Sequence, residues 1–205
     1  MQHKKLTLLA AGVLVAGGLL SGSPASAGEA TASMLANTCA GCHGTDGVSA
    51  GPSMPSLAGM PAGYLKEVMA DFASGDRPST IMQRIAKGYS ESEIAKISSH
   101  FAAQKWVNAS PGPNLKNGTM VDSAKAAQGE KSAKKCGKCH EDSGRSIEDD
   151  TPRLAGQWTD YMRIKFNEYK DADLDMPQPK KMKKQIDKLS AEQLDAIAHF
   201  YASQK

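Results

Sequence analysis

Two five-residue segments of the chain combine cysteine and histidine at the same spacing. Residues 39–43 read Cys-Ala-Gly-Cys-His, and residues 136–140 read Cys-Gly-Lys-Cys-His. Both follow the C-x-x-C-H pattern that attaches c-type haem, in which each thiol forms a thioether to the porphyrin. The histidine that follows can bind the iron as its proximal axial ligand. We therefore predict two haem c groups, attached at Cys39, Cys42, Cys136 and Cys139 and ligated by His43 and His140.

Other uses of the four cysteines fit these spacings less well. A zinc ribbon needs two cysteine pairs about 15–20 residues apart, whereas 93 residues lie between Cys42 and Cys136. Two disulfides in an exported protein would leave the histidine after each pair unexplained. A thioredoxin-like pair needs a βαβ setting, and the sequence around both pairs is typical of helices.

The haem motifs belong to a longer repeat that gives each half of the chain the same order of elements. Short helices are predicted over residues 29–38 and 124–135, directly before the motifs. Apolar residues at helical spacing predict a further helix over residues 64–72. Each half closes with a helix that starts at a capping box. The capping residues are Ser90 with Glu93, and Ser190 with Gln193.

Matched positions define how the second half follows the first. Tyr161 lies 97 residues after Tyr64, and three extra residues in the loop from Lys170 raise the offset to 100. Because few positions alternate with the period of a strand, we predict an all-α chain of two similar domains. The predicted divisions are a first domain at 28–107, a Pro- and Gly-rich linker at 108–120 and a second domain at 121–205.

The first 27 residues are predicted to be a secretory signal peptide. Lys4 and Lys5 precede an apolar run over residues 6–20, and Ala-Ser-Ala at 25–27 is a small-residue cleavage site. A retained membrane anchor is disfavoured because the run is shorter than the ~20 residues that a spanning helix needs. We expect the mature chain to be periplasmic and to have no membrane span.

Charge and composition narrow the function further. Cleavage of the signal peptide removes two lysines and lowers the net charge from +3 to about +1, which gives no sign of nucleic-acid binding. Aromatic residues make up only 5% of the chain. Two domains of this size with few aromatics have thin cores, and a covalently held haem would supply apolar bulk to each.

The sixth position of each iron is predicted to be filled by methionine. Met82 and Met182 each lie eight residues before the capping serine, on the loop before the last helix. Methionine with histidine raises the reduction potential and suits electron transfer. Filling of the core is the ordinary role of methionine, and Met176 is a rival ligand in the second half. His100 and His199 could also replace methionine, but we interpret them as helix residues near a surface or domain contact.

Two matched prolines precede the helical segments. The carbonyls of Pro55 and Pro152 could fix the proximal histidines through the second ring nitrogen, or both residues could be ordinary loop prolines.

The residues above resemble a known family over essentially the whole mature chain. The haem motifs, the Leu-Ala-Gly stretches at 57–59 and 154–156 and the paired methionines resemble dihaem class I cytochromes of the cytochrome c4 type. Residues 79–90 and the closing residues 200–204 are similar to the cytochrome subunits of flavocytochrome c sulfide dehydrogenases. The linker and the loop at 170–181 match less closely.

The resemblance implies a fold and a partner. The fold would be two cytochrome-c-like domains related by a pseudo-twofold axis, with the haems facing each other. The partner would be an FAD-containing flavoprotein subunit that oxidises sulfide in a heterodimer with this chain. The flavin would pass single electrons to the haems, and we expect the first haem to face it. The haems would reduce a soluble acceptor such as a cytochrome, so this chain would hold no catalytic residue of its own.

Two other functions compete with this interpretation. A free dihaem carrier delivering electrons to a terminal oxidase would use the same ligands. A catalytic haem, as in a peroxidase, needs an open iron position, and the matched methionines argue against it.

Overall fold

The computed structural model describes residues 29–109, 121–145 and 148–205. The predicted signal peptide and most of the predicted linker lie outside these ranges, so the signal peptide and the domain boundaries stay predictions. The described residues form helices and turns without a β-strand, and the prediction of an all-α fold is confirmed. Within the same ranges no helix has the length and apolar character needed to cross a bilayer.

The first half of the chain forms five helices around a small apolar core. They are α1 (Ala32–Asn37), α2 (Ala40–His43), α3 (Ala62–Ser74), α4 (Met82–Ala86) and α5 (Glu91–Ala102), with a 3-10 turn at Thr45–Gly47. The predicted capping box opens α5: the Ser90 hydroxyl accepts the N–H of Glu93, whose carboxylate accepts the N–H of Ser90. The predicted helix over 64–72 is part of α3, which ends at Gly75 in a left-handed conformation.

The second half repeats this order. Its helices are α6 (Ser123–Ser132), α7 (Glu141–Gly144), α8 (Thr159–Lys170), α9 (Lys180–Ile186) and α10 (Ala191–Ser203). The helix predicted over 124–135 is shorter than expected, because the chain tightens into a 3-10 turn at Ala133–Lys138 that carries Cys136. A capping box formed by Ser190 and Gln193 opens α10, as predicted.

In each half the first and last helices pack against each other. Helix α1 contacts α5, and α6 contacts α10. The core of the first half contains Leu35, Ala36, Met60, Leu65, Ile97 and Phe101. The core of the second half contains a cluster of Ala133, Met162, Ile197, Ala198 and Tyr201. Both cores are small, which agrees with the thin cores expected from the composition.

Gly129 allows the close approach of α6 and α10. A Cβ atom at this position would lie 2.0 Å from the carbonyl oxygen of Ala196, which is backbone and has little freedom to move. We expect Gly129→Ala to lower the free energy of unfolding by about 1–3 kcal/mol, because the two helices must separate. Denaturant unfolding of the haem-loaded protein measures this. Gly137→Ala is the matched control, since its Cβ would have no neighbour within 4 Å; equal losses for both variants would contradict the packing argument.

The two halves join through reciprocal contacts. The N–H of Tyr161 donates to the carbonyl of Pro52 at 3.1 Å, and the N–H of Tyr64 donates to the carbonyl of Asp149 at 2.7 Å. Both pairs use the same two positions of the repeat, since Asp149 lies 97 residues after Pro52. When position i of one half contacts position j of the other, and position j of the first contacts position i of the second, the halves are related by a twofold axis. The predicted pseudo-twofold arrangement is confirmed.

A buried polar contact adds to this interface. The Gln157 side chain accepts the N–H of Ser56 at 3.1 Å and donates to the Ser56 carbonyl at 3.2 Å. Gln157 and Ser56 are each 1% exposed. The side-chain oxygen and nitrogen of Gln157 both form hydrogen bonds, as buried polar groups require. Since Ser56 lies in the loop that follows the first haem motif, the two bonds hold this loop against the second half.

Candidate haem sites

The first site lies where α1 gives way to the single turn of α2. Cys39 precedes α2, and Cys42 and His43 lie within it. The N–H of His43 donates to the carbonyl of Cys39 at 2.9 Å, which holds thiols and imidazole on one turn. Cys42 is exposed and Cys39 is half-buried, and neither forms a disulfide. The two thiols are therefore free to form thioethers at the surface of this half.

Gly44 is needed directly after this turn. Its φ of +77° lies in the region that side chains disfavour, and a Cβ would lie 1.9 Å from the Val48 carbonyl oxygen. The chain can therefore reverse after His43 without moving the imidazole.

The His43 ring is held for ligation. Its Nδ1 lies 2.9 Å from the Pro55 carbonyl oxygen. Since a carbonyl only accepts, Nδ1 carries the proton and Nε2 keeps its lone pair for a metal. Burial lowers the pKa of His43, and the Pro55 carbonyl opposes this shift. The neutral imidazole is the form that binds iron.

The second site has the same construction. Nδ1 of His140 lies 3.3 Å from the carbonyl oxygen of Pro152, and burial lowers the pKa of His140 more than that carbonyl raises it. Cys139 is exposed and Cys136 is half-buried. The carbonyl role considered for the two prolines is thus the one that the structure supports in both halves.

The two predicted methionine ligands lie on matched helices. Met82 is the first residue of α4 and Met182 is the third residue of α9, and both are half-buried. Helices α4 and α9 end at matched positions, and the three-residue insertion lets α9 begin earlier. Neither sulfur forms a hydrogen bond with the described part of the chain, so both are free to bind a metal.

Met176 has a different surrounding. It is 5% exposed, and its sulfur accepts a hydrogen bond from Nη1 of Arg77 in the other half at 3.6 Å. Arg77 also lies over the Phe72 ring, with 5.8 Å from its guanidinium carbon to the ring centroid. The rival ligand therefore packs at the contact between the halves, which favours Met182 as the ligand.

Arg77 is a buried cation that the sequence did not single out. Its side chain is 6% exposed, its Nε has no hydrogen-bond partner in the described ranges, and no carboxylate there pairs with it. A buried cation without an acid is costly unless an anion meets it. Haem carries carboxylates, so the orphaned nitrogen fits this group. In the sequence Arg77 reads as part of a Gly-Asp-Arg-Pro turn, and nothing local marks it as buried.

The other two histidines lie away from these sites. His199 is 1% exposed; its Nδ1 accepts the N–H of Asp122 at 3.0 Å, and its Nε2 lies 3.2 Å from Nη2 of Arg163. Nε2 of His100 is 3.5 Å from the side-chain nitrogen of Gln104. Both are helix residues, as we interpreted them, but His199 is buried within the second half and does not lie near a surface or a domain contact.

The donor set fits an iron porphyrin better than a bare ion. Among the described residues no group of three or more His, Cys, Asp or Glu could hold a metal ion. Each site instead offers two thiols and one oriented imidazole, and the methionine ligands stay predictions. Two thiols and an imidazole are the set that a covalently attached haem requires.

Comparison with known proteins agrees with this geometry. The sequence profile of the family described as "Cytochrome c" matches twice, at residues 28–104 and 126–205. Cytochrome c4 of Pseudomonas aeruginosa is 32% identical over 156 residues, covering 74% of this chain and 76% of that protein. The thiosulfate dehydrogenase electron acceptor of Stutzerimonas stutzeri is 28% identical and covers 84% of this chain and 81% of that protein.

A shorter segment is more similar to a third protein. The cytochrome subunit of sulfide dehydrogenase from Chlorobaculum tepidum is 44% identical over 73 residues, covering 36% of this chain and 66% of that protein. Among solved structures, reduced cytochrome c4 from Pseudomonas stutzeri superposes with a TM-score of 0.71 at 22% identity. It covers 86% of this chain and 100% of that chain, and it supports the fold alone.

Proposed function

The chain belongs to the cytochrome c family, as a dihaem electron carrier of the c4 type with two haem c groups, and from this we propose that it serves a sulfide-oxidising flavoprotein. In this proposal an FAD-containing subunit oxidises sulfide, and the present chain passes the electrons to a soluble acceptor. Bound haem supplies the iron that takes up and releases one electron at a time. The catalysis of sulfide oxidation belongs to the partner.

The proposal assigns a role to each site residue. The thiols of Cys39 and Cys42 and of Cys136 and Cys139 tether the haems. His43 and His140, oriented by proline carbonyls, bind one side of each iron, and Met82 and Met182 bind the other. Because both irons are closed in this way, the proposal leaves no open position for peroxidase chemistry.

The proposal that the electron-donating flavoprotein oxidises sulfide rests on the 44% identity with a sulfide dehydrogenase cytochrome subunit. The surface of the first half supports a lasting contact between that half and the flavoprotein. Met34, in α1 before the first haem motif, is 63% exposed, and Ile81 and Ile85, on either side of Met82, are 54% and 40% exposed. Exposed apolar side chains are typical of interfaces between subunits that stay together. We therefore assign the flavoprotein to the first haem.

The localisation is part of the proposal. A cleaved signal peptide at residues 1–27 would deliver the chain to the periplasm, where c-type haem is attached and sulfide is encountered. The amino-terminal residue of the purified protein tests this, with Gly28 as the expected start.

Reduction by sulfide tests the proposed partner. We expect sulfide to reduce the haems at least 100 times faster when the flavoprotein is present than when it is absent, because the proposal places the oxidation of sulfide on the flavoprotein. Stopped-flow absorbance of the haem bands measures this, with thiosulfate as the control substrate. We also expect an FAD-containing chain to copurify with the cytochrome. A cytochrome that stays alone, and whose haems stay oxidised with sulfide and flavoprotein together, contradicts the proposal.

A free carrier is the second candidate. It is supported by the similarity to cytochrome c4 and to a thiosulfate dehydrogenase electron acceptor, which extends over about three quarters or more of each chain. A protein that copurifies with no flavoprotein and is rapidly oxidised by a terminal oxidase would favour this function. Fast reduction by a thiosulfate dehydrogenase would identify the donor instead.

A further inference from the structure

Lysines are concentrated around the second haem motif, whereas the matched segments of the first half, 33–44 and 80–88, hold one lysine, Lys87, and one arginine, Arg84. In segments 130–141 and 180–188 there are nine: Lys131, Lys134, Lys135, Lys138, Lys180, Lys181, Lys183, Lys184 and Lys188. The repeat places other residues at the matched positions of the first half: Met34, Asn37, Thr38, Gly41, Thr80, Ile81, Gln83, Arg84 and Gly88. One backbone plan therefore carries two different surfaces. We call the nine residues the lysine face.

The charges of the lysine face are not cancelled locally. All nine lysines are exposed. Lys183 pairs with Asp187 at 3.1 Å, and within the described ranges the other eight form no ion pair. The acidic residues of the two segments are Glu130, Glu141 and Asp187, so positive groups outnumber negative ones three to one. Such a concentration of one sign produces a field that attracts acidic partners.

The tertiary structure places the two lysine segments beside one haem motif. Helix α9 packs against the 3-10 turn Ala133–Lys138, which contains Cys136. Cys139, which follows the turn, is exposed. The lysine face thus borders the thiols where the edge of the second haem would be attached, and a protein docked there would come close to that haem.

We propose that the lysine face is the docking site for an acidic redox protein that takes electrons from the second haem. This inference rests on haem attachment at Cys136 and Cys139. It adds to the proposed function that the soluble electron acceptor is acidic. A haem held by Cys136, Cys139 and His140 would supply the single electron that reduces the docked partner, and no proton or group would be transferred. Electrons then enter at the apolar surface of the first half and leave at the basic surface of the second.

A protein partner fits this face better than an anionic membrane. Met182 and Ile186 are the large aliphatic side chains of the two lysine segments, and Met182 is half-buried while Ile186 is buried. The face therefore offers charge without side chains that insert between lipids, and interfacial helices need both. Charge complementarity without apolar anchors gives fast, short-lived association, which suits electron transfer.

The test compares two triple variants with equal changes in charge. Lys131, Lys135 and Lys181 are replaced by glutamine in one variant, and Lys66, Lys87 and Lys105, which are exposed on the first half, are replaced in the control. The haem-loaded protein is reduced with ascorbate, so the result does not depend on sulfide or on the flavoprotein. The probe is an acidic blue-copper protein in its Cu(II) form, and stopped-flow absorbance follows its reduction to Cu(I).

We expect the low-salt rate of the lysine-face variant to fall at least tenfold, and that of the control to change less than twofold. The wild-type rate is expected to fall at least tenfold on going to 1 M salt, where charges are screened. An equal fall in the rate for both variants, or a wild-type rate that does not change with salt concentration, overturns the proposal. Tighter binding to phosphatidylglycerol vesicles than to the copper protein overturns it in favour of a membrane surface. Intact mass confirms that every variant carries two haems.

Discussion

Replacing Cys136 and Cys139 with serine is expected to yield a protein that carries one haem and whose second half no longer folds stably. The buried cluster beside Cys136 contains five residues, and alanine occurs twice among them. Cys136 packs against this core, so a haem tethered there would extend the apolar interior. A half of about 80 residues depends on such added bulk, because small domains bury little apolar surface.

Intact mass and hydrogen exchange measure the two parts of this prediction. The mass of the exported variant is expected to show one haem in place of two, and amides of α8 and α10 to lose protection while those of α3 and α5 keep it. The matched control replaces Cys39 and Cys42 with serine, which is expected to reverse the pattern. A cysteine-free second half that keeps its haem, or keeps full protection without it, would show that the thiols are not what holds the cofactor.

Replacing Met182 with alanine is expected to remove about half of the sulfur-to-iron charge-transfer band of the oxidised protein. The reduction potential of one haem is expected to fall at the same time, because methionine ligation raises it. The matched variant Met82→Ala is expected to remove the other half of the band. Visible spectra and a redox titration of the two-haem protein measure these effects.

Met176→Ala separates ligation from packing. Because the Met176 sulfur accepts a hydrogen bond from Arg77 and is buried between the halves, the variant is expected to keep the band. Its free energy of unfolding is expected to fall by about 2–5 kcal/mol, as for other buried methionines that are truncated. A variant that loses the band while Met182→Ala keeps it would reverse the assignment of the second ligand.

The repeat explains why two similar sites can serve different partners. Part of the interface between the halves uses matched positions on both sides, namely the exchanged pairs of Tyr64 with Asp149 and Tyr161 with Pro52. The outward surfaces differ at matched positions: Met34 corresponds to Lys131, and Ile81 corresponds to Lys181. The backbone contacts at these matched positions keep the symmetry, whereas the outward side chains depart from it. Electron flow with a direction needs such a difference.

Local features of the sequence predicted the all-α fold and the start of the closing helix of each half. The capping boxes at Ser90 and Ser190 are made of residues three apart, so their hydrogen bonds depend on the helix alone. The haem motifs likewise hold two thiols and an imidazole within five residues. The position of each motif in the repeat could be predicted because it, too, depends on neighbouring residues. The end of the helix before Cys136 could not be, because the 3-10 turn there is part of the packing against α9 and α10.

Contacts between the halves were decided by the tertiary structure. The sequence left Met176 and Met182 as rival ligands, and the tertiary structure adds that Met176 is buried against Arg77, which is why we propose Met182. The bond between Gln157 and Ser56 joins residues 101 positions apart. The clustering of two lysine segments also depends on α9 packing beside the second haem motif. Interactions between neighbouring residues can be predicted from the sequence. Burial and the pairing of distant groups depend on the tertiary structure, because folding brings those groups together.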